Sequence, residues 1–560
     1  MLHSNTLFKA AFLLLSALGT WLFLYSAWIS DDALISLRQV VMLGDGHGMV
    51  WNLGQRVQAF SHTTWFFLLS LGYVLTGSLF HMTLAVSWIC VAGALVLYWR
   101  FCRSMNSGWL LVALMALPLT SAAFRDYMTS GLENPLSFLL AAGIITLALK
   151  PRSFRQDQAL WLLFALAILT RQDHALHFGP LALWVLYKNG FWNQIRASLP
   201  AVALLIGWFA FATFYFGAPL PNTYYAKLTA GIPDRDTSDL AWQYLLKSLD
   251  MRLGTVLVIV LGLLISVPGS PLSRALAIGV LAHLIYLWSI GGDFMIGRFL
   301  ALDFFLACFI IADCIRHVNS TRKSGAVICV VAYVFAMERP VLIETDLEKL
   351  TFRVVNDERL MFASVYGLMS PTRDWPEIRV SDPETQVEHV YVGCGFIGAA
   401  RFSWPDSIHI IDMCGLTDPY LARMPVFHDQ RKKAGHYKRL VDVDYPQLVL
   451  TGELPEGSYG GSRTTLEQIW SISRGPLTAP GRLSSIIEIN LGGRDLDQSY
   501  WAHPDKTNED NLYQVDWIGE APDGLPRWVR PSKAHDAYFE RLISAIATAN
   551  ASIAALQSRE

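Results

Sequence analysis

The stretch "WISDDALISLRQVVMLGDGHGMVWNLGQRVQAF", residues 28–60, follows an apolar run and sets two adjacent carboxylates, Asp31 and Asp32, where a helix would leave a membrane. Upstream, "MLHSNTLFKAAFLLLSALGTWLFLYSAW" is too long an apolar run for the core of a signal peptide, and no small-x-small cleavage site precedes Asp31. It reads as a retained first span, 7–29. The following "DDALISLR" has helix-start chemistry, with Asp at the N-cap and then an amphipathic turn. Neighbours i and i+1 on a helix point about 100° apart. One acid of the pair is therefore expected to face a reacting centre and the other to orient or cap. The plainer reading is a helix cap at the membrane surface and nothing more.

The rest of the chain agrees with a membrane. Of 560 residues, 53% are hydrophobic and 16% charged, with a mean hydropathy of +0.35. Soluble domains carry charged residues near ~25%. A formal net charge of −2 gives no basic surface, so nucleic acid is not an expected partner. A bilayer-crossing helix needs roughly 20 residues. Candidate spans fall at 7–29, 83–100, 108–123, 134–149, 157–170, 174–188, 197–216, 253–268, 273–290, 298–315 and 325–338, with ends extending into their flanks. The connections "RFCRSMNS", "KPRSFRQ", "KNGFWNQIR" and "RHVNSTRK" are basic and belong in the cytoplasm. That parity holds only if the apolar stretch 62–79 lies along the outer interface without crossing. The expected fold is an α-helical polytopic membrane protein of about eleven transmembrane helices, N-terminus inside, with the first outer loop at 30–82. The membrane module spans 1–340.

From 341 to 560 no membrane-length apolar run remains, and this part reads as an extracytoplasmic α/β domain. "HVYVGCGFIGAA", "SIHIIDMCGL" and "PQLVLTGE" read as short strands, and 533–557 as a closing helix. Outside the cytoplasm Cys394 and Cys414 are able to pair, although sequence alone does not fix their separation. The other five cysteines lie in or beside apolar runs and read as small core residues. No Cys/His spacing suggests zinc. Carboxylates at one face leave a divalent cation open, but no ligand spacing is diagnostic and no cofactor is implied.

With the basic connections inside, the polar residues of seven separate segments collect at the outer face. They include Arg38, Arg56, His62, Arg125, Asp126, Glu133, Arg171, Asp173, His174, Lys227, Asp293 and Arg298. Ionisable groups near a membrane are costly and usually functional. Acids and cations converging there suit a phosphorylated lipid and a polar acceptor. Arg or Lys would hold a phosphate, an apolar groove would hold the lipid, and a carboxylate would activate a hydroxyl.

Each residue also has a structural reading. Arg298 is a snorkelling arginine at a span end, and Arg171 with Asp173 is an ion pair across a tight hairpin. Lys227 is a solvated loop lysine, Glu133 a helix cap, and His436 a structural histidine. The aromatic run "WLFLYSAW" reads as lipid-facing and interfacial. Trp404, Tyr420 and Tyr437 are core aromatics that could otherwise stack on a glycan.

The ordered set "SDDALISLRQVVMLGDGHGMVWNLGQRVQAFSHTTW", "TSGLENPL", "LTRQDHAL", "PLPNTYYAKLTAG", "GGDFMIGRFL", "IIDMCGLTDPYLAR" and "GHYKR" resembles GT-C-fold glycosyltransferases. It is most similar to the mycobacterial terminal β-(1→2) arabinofuranosyltransferase family and its bacterial relatives, from residue 28 to about 440. The resemblance implies a GT-C fold in the bacterial cytoplasmic membrane. It also implies transfer of a sugar, arabinofuranose, from a polyprenyl-phosphate donor to a cell-envelope glycan or glycoconjugate on the outer face. It makes Asp31 and Asp32 the catalytic centre and Arg298, Arg171 and Lys227 the phosphate contacts. Arg38, His62, Glu133, Asp173, Asn222, Tyr224, Asp293 and His436 become pocket residues. The chain departs from the family at Leu34, Gln39 and Gln55, in "SHTTW" and in "RQD", which bears on sugar and acceptor. The alternative is a transporter or flippase of a lipid-linked sugar precursor. It would need polar residues through the bilayer depth, whereas these spans are polar at their outer ends. A third reading, a glycan-binding receptor, leaves the converging acids without a role.

Overall fold

The computed structural model describes residues 2–103, 108–150, 152–228, 234–316, 321–338, 354–370, 385–394, 396–424, 426, 434–439, 441, 444–453, 463–491 and 517–518. Every one of the eleven apolar stretches carries helix, because their apolar runs have no competing period-2 pattern. Among the described residues, four helices are long and apolar enough to cross a membrane by length and composition: Phe8–Ser26, Phe80–Cys102, Phe191–Phe216 and Pro271–Ser289. A fifth arises if Asp236–Met251 and Leu253–Ser266, bent by 104°, count as one span. The stretch 62–79 forms the helix Thr63–Thr76, packed against Asp31–Gly44, Phe80–Cys102 and Phe154–Thr170. The closing helix expected at 533–557 lies outside the described residues.

Segment 27–30 fixes where the acid pair sits. The first helix, Leu2–Ser26, ends, and the chain runs extended between two other segments. The Ile29 N–H donates to the Tyr366 carbonyl (3.1 Å) and the Ser30 N–H to the Ser130 carbonyl (2.9 Å). Trp28, expected to face lipid, is instead fully buried and donates its indole N–H to the Asp126 carbonyl at 2.7 Å. The expected Asp N-cap is also corrected. Ser30 caps the helix Asp31–Gly44, its extended backbone letting the hydroxyl accept from the Ala33 N–H at 3.2 Å. Gly131 (φ +79°) packs so closely on this turn that a Cβ would lie 2.9 Å from Ala33 Cβ.

Several of the charges expected in outer loops serve this architecture. Arg125 is 2% exposed and donates to the carbonyls of Leu119 (2.8 Å), Thr120 (2.5 Å) and Glu338. Arg252, at the bend between two helices, pairs with Asp126 (3.0 Å) and Asp357 (2.6 Å). A buried charge that is paired and hydrogen-bonded holds its neighbours in place, and these groups have their partners.

The C-terminal part contains a sheet of order β2-β1-β3. Strands β1 (His389–Gly393) and β2 (Ile408–Asp412) are parallel, with Tyr391 opposite Ile410, joined through the helix Ile397–Ser403. Strand β3 (Trp517–Ile518) adds antiparallel to β1. The expected strand "PQLVLTGE" is instead the helix Asp444–Thr451. Its buried residues Tyr445, Leu448 and Val449 follow the helical spacing i, i+3, i+4. Cys394 and Cys414 form a disulfide, with Cα atoms 5.3 Å apart.

The C-terminal part shares an apolar core with the helices. Ile35, Trp51, Val57, Ala59 and Tyr225 pack with Tyr391, Ile397, Ile408, Ile410 and Leu416. Asn52 pairs with the edge strand β2 as a backbone would: its amide donates to the Ile410 carbonyl (2.9 Å) and accepts from the Ile410 N–H (3.1 Å). That satisfies an edge that would otherwise be open. Arg38 and Arg401 both pair with Asp406 in the same interface.

Candidate active site

A cavity of about 440 Å³ opens where the helix ends meet the C-terminal part. Asp32, His62, Arg171, Asp173, Tyr224, Lys227, Asp293 and Arg298 line it, and Gly435 and Tyr437 from the C-terminal part close one side. These residues come from the starts and ends of helices, where backbone geometry places side chains at a common level. A second, apolar cavity of about 330 Å³ lies among Trp161, Phe164, Phe178, Ala182, Ala201 and Leu205, and Ala175 lines both.

The two neighbouring acids part company. Asp32 points into the cavity, its carboxylate 3.1 Å from Arg298 Nη1. Asp31 turns to the C-terminal part and accepts the Ala399 N–H at 2.7 Å. A Cβ on Gly398 would lie 2.2 Å from the Asp31 carbonyl oxygen, so the two backbones meet only because residue 398 is glycine.

Glu133 is fully buried behind the cavity and ties two arginines and a histidine together. Arg171 Nη1 lies 2.7 Å from it, Arg298 Nη2 3.5 Å and His62 Nδ1 3.1 Å. Burial alone would raise its pKa, but Arg298, His62 and Arg171 overcome that and hold the carboxyl well below the usual range. Asp173 behaves likewise: burial raises it, and Arg171 at 2.6 Å with His283 bring it well below. Arg171 is thereby engaged by two carboxylates and stacked 4.2 Å over the Phe299 ring. His283 stands behind Asp173 at 3.7 Å and donates to Asp303 at 2.8 Å; His177 reaches the other Asp303 oxygen at 2.9 Å.

In the cavity, Lys227 and Asp293 retain bonding capacity, as do His62 Nε2 and Arg298 Nε among the described residues. No carboxylate among the described residues lies within ion-pair distance of Lys227, whose pKa burial lowers while Asp32 and Asp293 partly restore it. Asp293 Oδ1 accepts the Phe294 N–H at 2.9 Å, whereas its buried Oδ2 has no hydrogen-bond partner among the described residues. Burial raises the Asp293 pKa, and Arg298 and Lys227 offset part of the rise.

Five predicted site residues lie outside the cavity lining. Asp31 and Arg38 join the two parts of the chain, and Glu133 sits behind the wall. Asn222 donates to the carbonyls of Gly415 (2.7 Å), Leu416 (3.2 Å) and Asp418 (3.0 Å). His436 packs edge-on against Phe294 with ring centres 4.4 Å apart. Trp404 and Tyr420 pack on Tyr391 and Tyr445.

Sequence reasoning missed Arg439. It is fully buried and donates to the carbonyls of Cys414 and Tyr437, both at 2.6 Å, and of Ala226. Together Asn222 and Arg439 clamp the helix Asn222–Leu228, and hence Lys227, to the C-terminal part. The motif "GHYKR" contained the signal, but its partner carbonyl at Ala226 is 213 residues away.

No family model matches the chain. It is 30% identical over 232 residues to the terminal beta-(1->2)-arabinofuranosyltransferase of Mycobacterium tuberculosis, covering 38% of this chain and 36% of that protein. It is 27% identical over 340 residues to the protein of the same name from Corynebacterium glutamicum, covering 50% of this chain and 46% of that one. The chain resembles terminal β-(1→2)-arabinofuranosyltransferases. It spans less than half the length of the curated relatives it matches. Among solved structures, ArnT from Cupriavidus metallidurans in the apo state matches with a TM-score of 0.41 and 15% identity, over 58% of this chain and 63% of that one.

Proposed function

We propose that this chain is a GT-C glycosyltransferase of the bacterial cytoplasmic membrane, with eleven spans in residues 1–340 and an extracytoplasmic domain in 341–560. It transfers arabinofuranose from a polyprenyl phosphate to a hydroxyl of a cell-envelope glycan. The observation that carries this reading is the cavity itself, in which Asp32 and Arg298 lie 3.1 Å apart beside Lys227, which has no ion-pair partner among the described residues. The apolar cavity that meets it at Ala175 has the character a polyprenyl chain requires.

In the proposed step Asp32 takes the acceptor proton. The acceptor oxygen then bonds to the anomeric carbon as the carbon–oxygen bond to phosphate breaks, and polyprenyl phosphate leaves with the electron pair. Lys227 and Arg298 stabilise the charge growing on that phosphate. Arg171, already held by Asp173 and Glu133, acts by fixing Glu133 and the wall. Desolvation strengthens each of these interactions.

The test is to incubate the purified chain in lipid nanodiscs with polyprenyl-phosphate arabinose labelled in the sugar and an arabinan acceptor. Label should move to the acceptor with release of unlabelled polyprenyl phosphate. In sealed proteoliposomes, labelled donor that crosses the bilayer intact without labelling any acceptor would replace this reading with transport.

A further inference from the structure

Among the described residues after 354, the large apolar side chains left exposed are Met369, Leu483, Ile487 and Leu491. The last three are 66%, 52% and 82% exposed and share the helix Arg482–Leu491. Residues four apart on a helix lie about 40° apart around its axis, so these three form one strip. The adjoining face, about 100° round the helix, is bound. Arg482 donates to the Phe214 carbonyl (2.6 Å) and the Tyr215 carbonyl (3.2 Å), and Asn490 to the Gly217 carbonyl (2.8 Å). Ile486 is buried between them.

Those carbonyls are the end of the helix Phe191–Phe216, which is long and apolar enough to cross a membrane and only 22% buried in its most apolar window. Its own apolar side chains face outward, with Ile206 64%, Phe211 39% and Phe214 49% exposed. The strip on Arg482–Leu491 therefore begins at the level where that outward apolar surface ends. Polar groups border it: Glu488 accepts from Gln468 at 2.7 Å, and Ser484 caps back to the Gly481 carbonyl. An apolar strip with a polar border, set at the end of a lipid-facing span, matches a helix lying in the membrane interface.

We propose that the helix Arg482–Leu491 is a membrane-interface anchor, with Leu483, Ile487 and Leu491 seated among the headgroups and upper acyl chains of the leaflet nearest the C-terminal part. The proposal rests on Phe191–Phe216 being a span. With its other face bonded to that span's end, the helix sets the height of the C-terminal part over the cavity.

The experiment places a photoreactive benzoylphenylalanine at single positions of the full chain in native membranes, followed by irradiation and mass analysis. Position 487 should give phospholipid adducts at a yield close to that at 206 on the span, and at least several-fold above that at 484 on the polar border. Lipid adducts at 206 combined with a cross-linked chain dimer, an intramolecular cross-link or no adduct at 487 would overturn the anchor alone. Equal yields at 484 and 487 would also overturn it, by showing that the probe and not the strip seeks lipid. No lipid adduct at 206 would remove the span, and the anchor with it. None of these outcomes touches the transfer assay, so the two readings fail separately.

Discussion

The cavity wall and the loop Asp412–Asp418 hold similar residues in different states. Around the loop every carboxylate bond is filled. Asp412 accepts from the N–H groups of Cys414 (2.9 Å), Leu416 (2.6 Å) and Thr417 (3.0 Å). Asp418 accepts from Tyr420 N (2.9 Å), Leu421 N (2.8 Å) and the Tyr445 hydroxyl (2.8 Å). In the cavity Asp293 keeps an unpartnered oxygen and Lys227 has no carboxylate within ion-pair distance among the described residues. Leaving a buried polar group unsatisfied costs about 1–3 kcal/mol. A fold tolerates that where a ligand completes the bonding. The two regions differ in their acids: those of the loop are bonded at both oxygens, although the loop's buried Thr417 hydroxyl has no partner among the described residues, whereas Asp293 keeps one oxygen open toward the cavity.

The largest expected effect lies within the acid pair. Asp32→Asn should lower the transfer rate by about 10²–10⁴-fold, the range for loss of a general base. Asp31→Asn keeps the oxygen that accepts the Ala399 N–H and should stay within a few-fold of the parent. Equal losses in both variants would erase the distinction between acting and holding.

Next come Lys227 and Arg439. Lys227→Met removes a charged contact worth about 1.5–3 kcal/mol, so the KM for donor should rise by roughly 10–100-fold with unfolding temperature unchanged. Arg439→Met strands the carbonyls of Ala226, Cys414, Met424 and Tyr437 and should lower stability by about 3 kcal/mol. Because Arg439 also holds the Lys227 helix, its residual activity should show the same KM defect.

The pH dependence of stability separates the regions by sign. Burial, partly offset by the Leu421 N–H and the Tyr445 hydroxyl, pushes Asp418 up to about 6, and burial raises Asp412 too. An unfolded Asp titrates near ~3.9. Ionising these groups therefore costs stability as pH rises from about 4 to 6, and unfolding temperature should climb when pH falls from 7 to 5. Asp418→Asn should shrink that climb. Glu133 and Asp173 are depressed, so their contribution is present above ~4 and is lost below it as pH falls toward their folded values. A monotonic fall from pH 7 downward would contradict the assignment for Asp418.

The smallest effect is expected at Asn52. Asn52→Ala opens the β2 edge and should cost about 1–2 kcal/mol with little change in KM.

Much of this was legible because apolar runs settle where helices form and because basic connections fix which loops share a face. The cavity residues Asp32, Arg298, Lys227, Asp293 and Asp173 came from that parity. What stayed hidden depends on partners far apart in the chain. Arg38 meets Asp406 and Asn222 meets Gly415, and no local pattern encodes either contact. His177, His283 and Asp303 converge from three helices, so their spacing in sequence carried no sign of it. Trp28 reads as a lipid-facing aromatic until the extended segment 27–30 is seen sandwiched by Ser130 and Tyr366. In "PQLVLTGE" the strand reading failed because Tyr445, just before it, completes a helical face.

The most direct test is a structure of the chain in nanodiscs with a non-reactive phosphonate analogue of polyprenyl-phosphate arabinose. The phosphonate oxygens should lie within about 3 Å of Lys227 Nζ and Arg298, with Asp32 facing the anomeric carbon and Asp31 still bonded to Ala399. A phosphonate bound away from Lys227, or Asp31 rather than Asp32 turned to the sugar, would contradict the account.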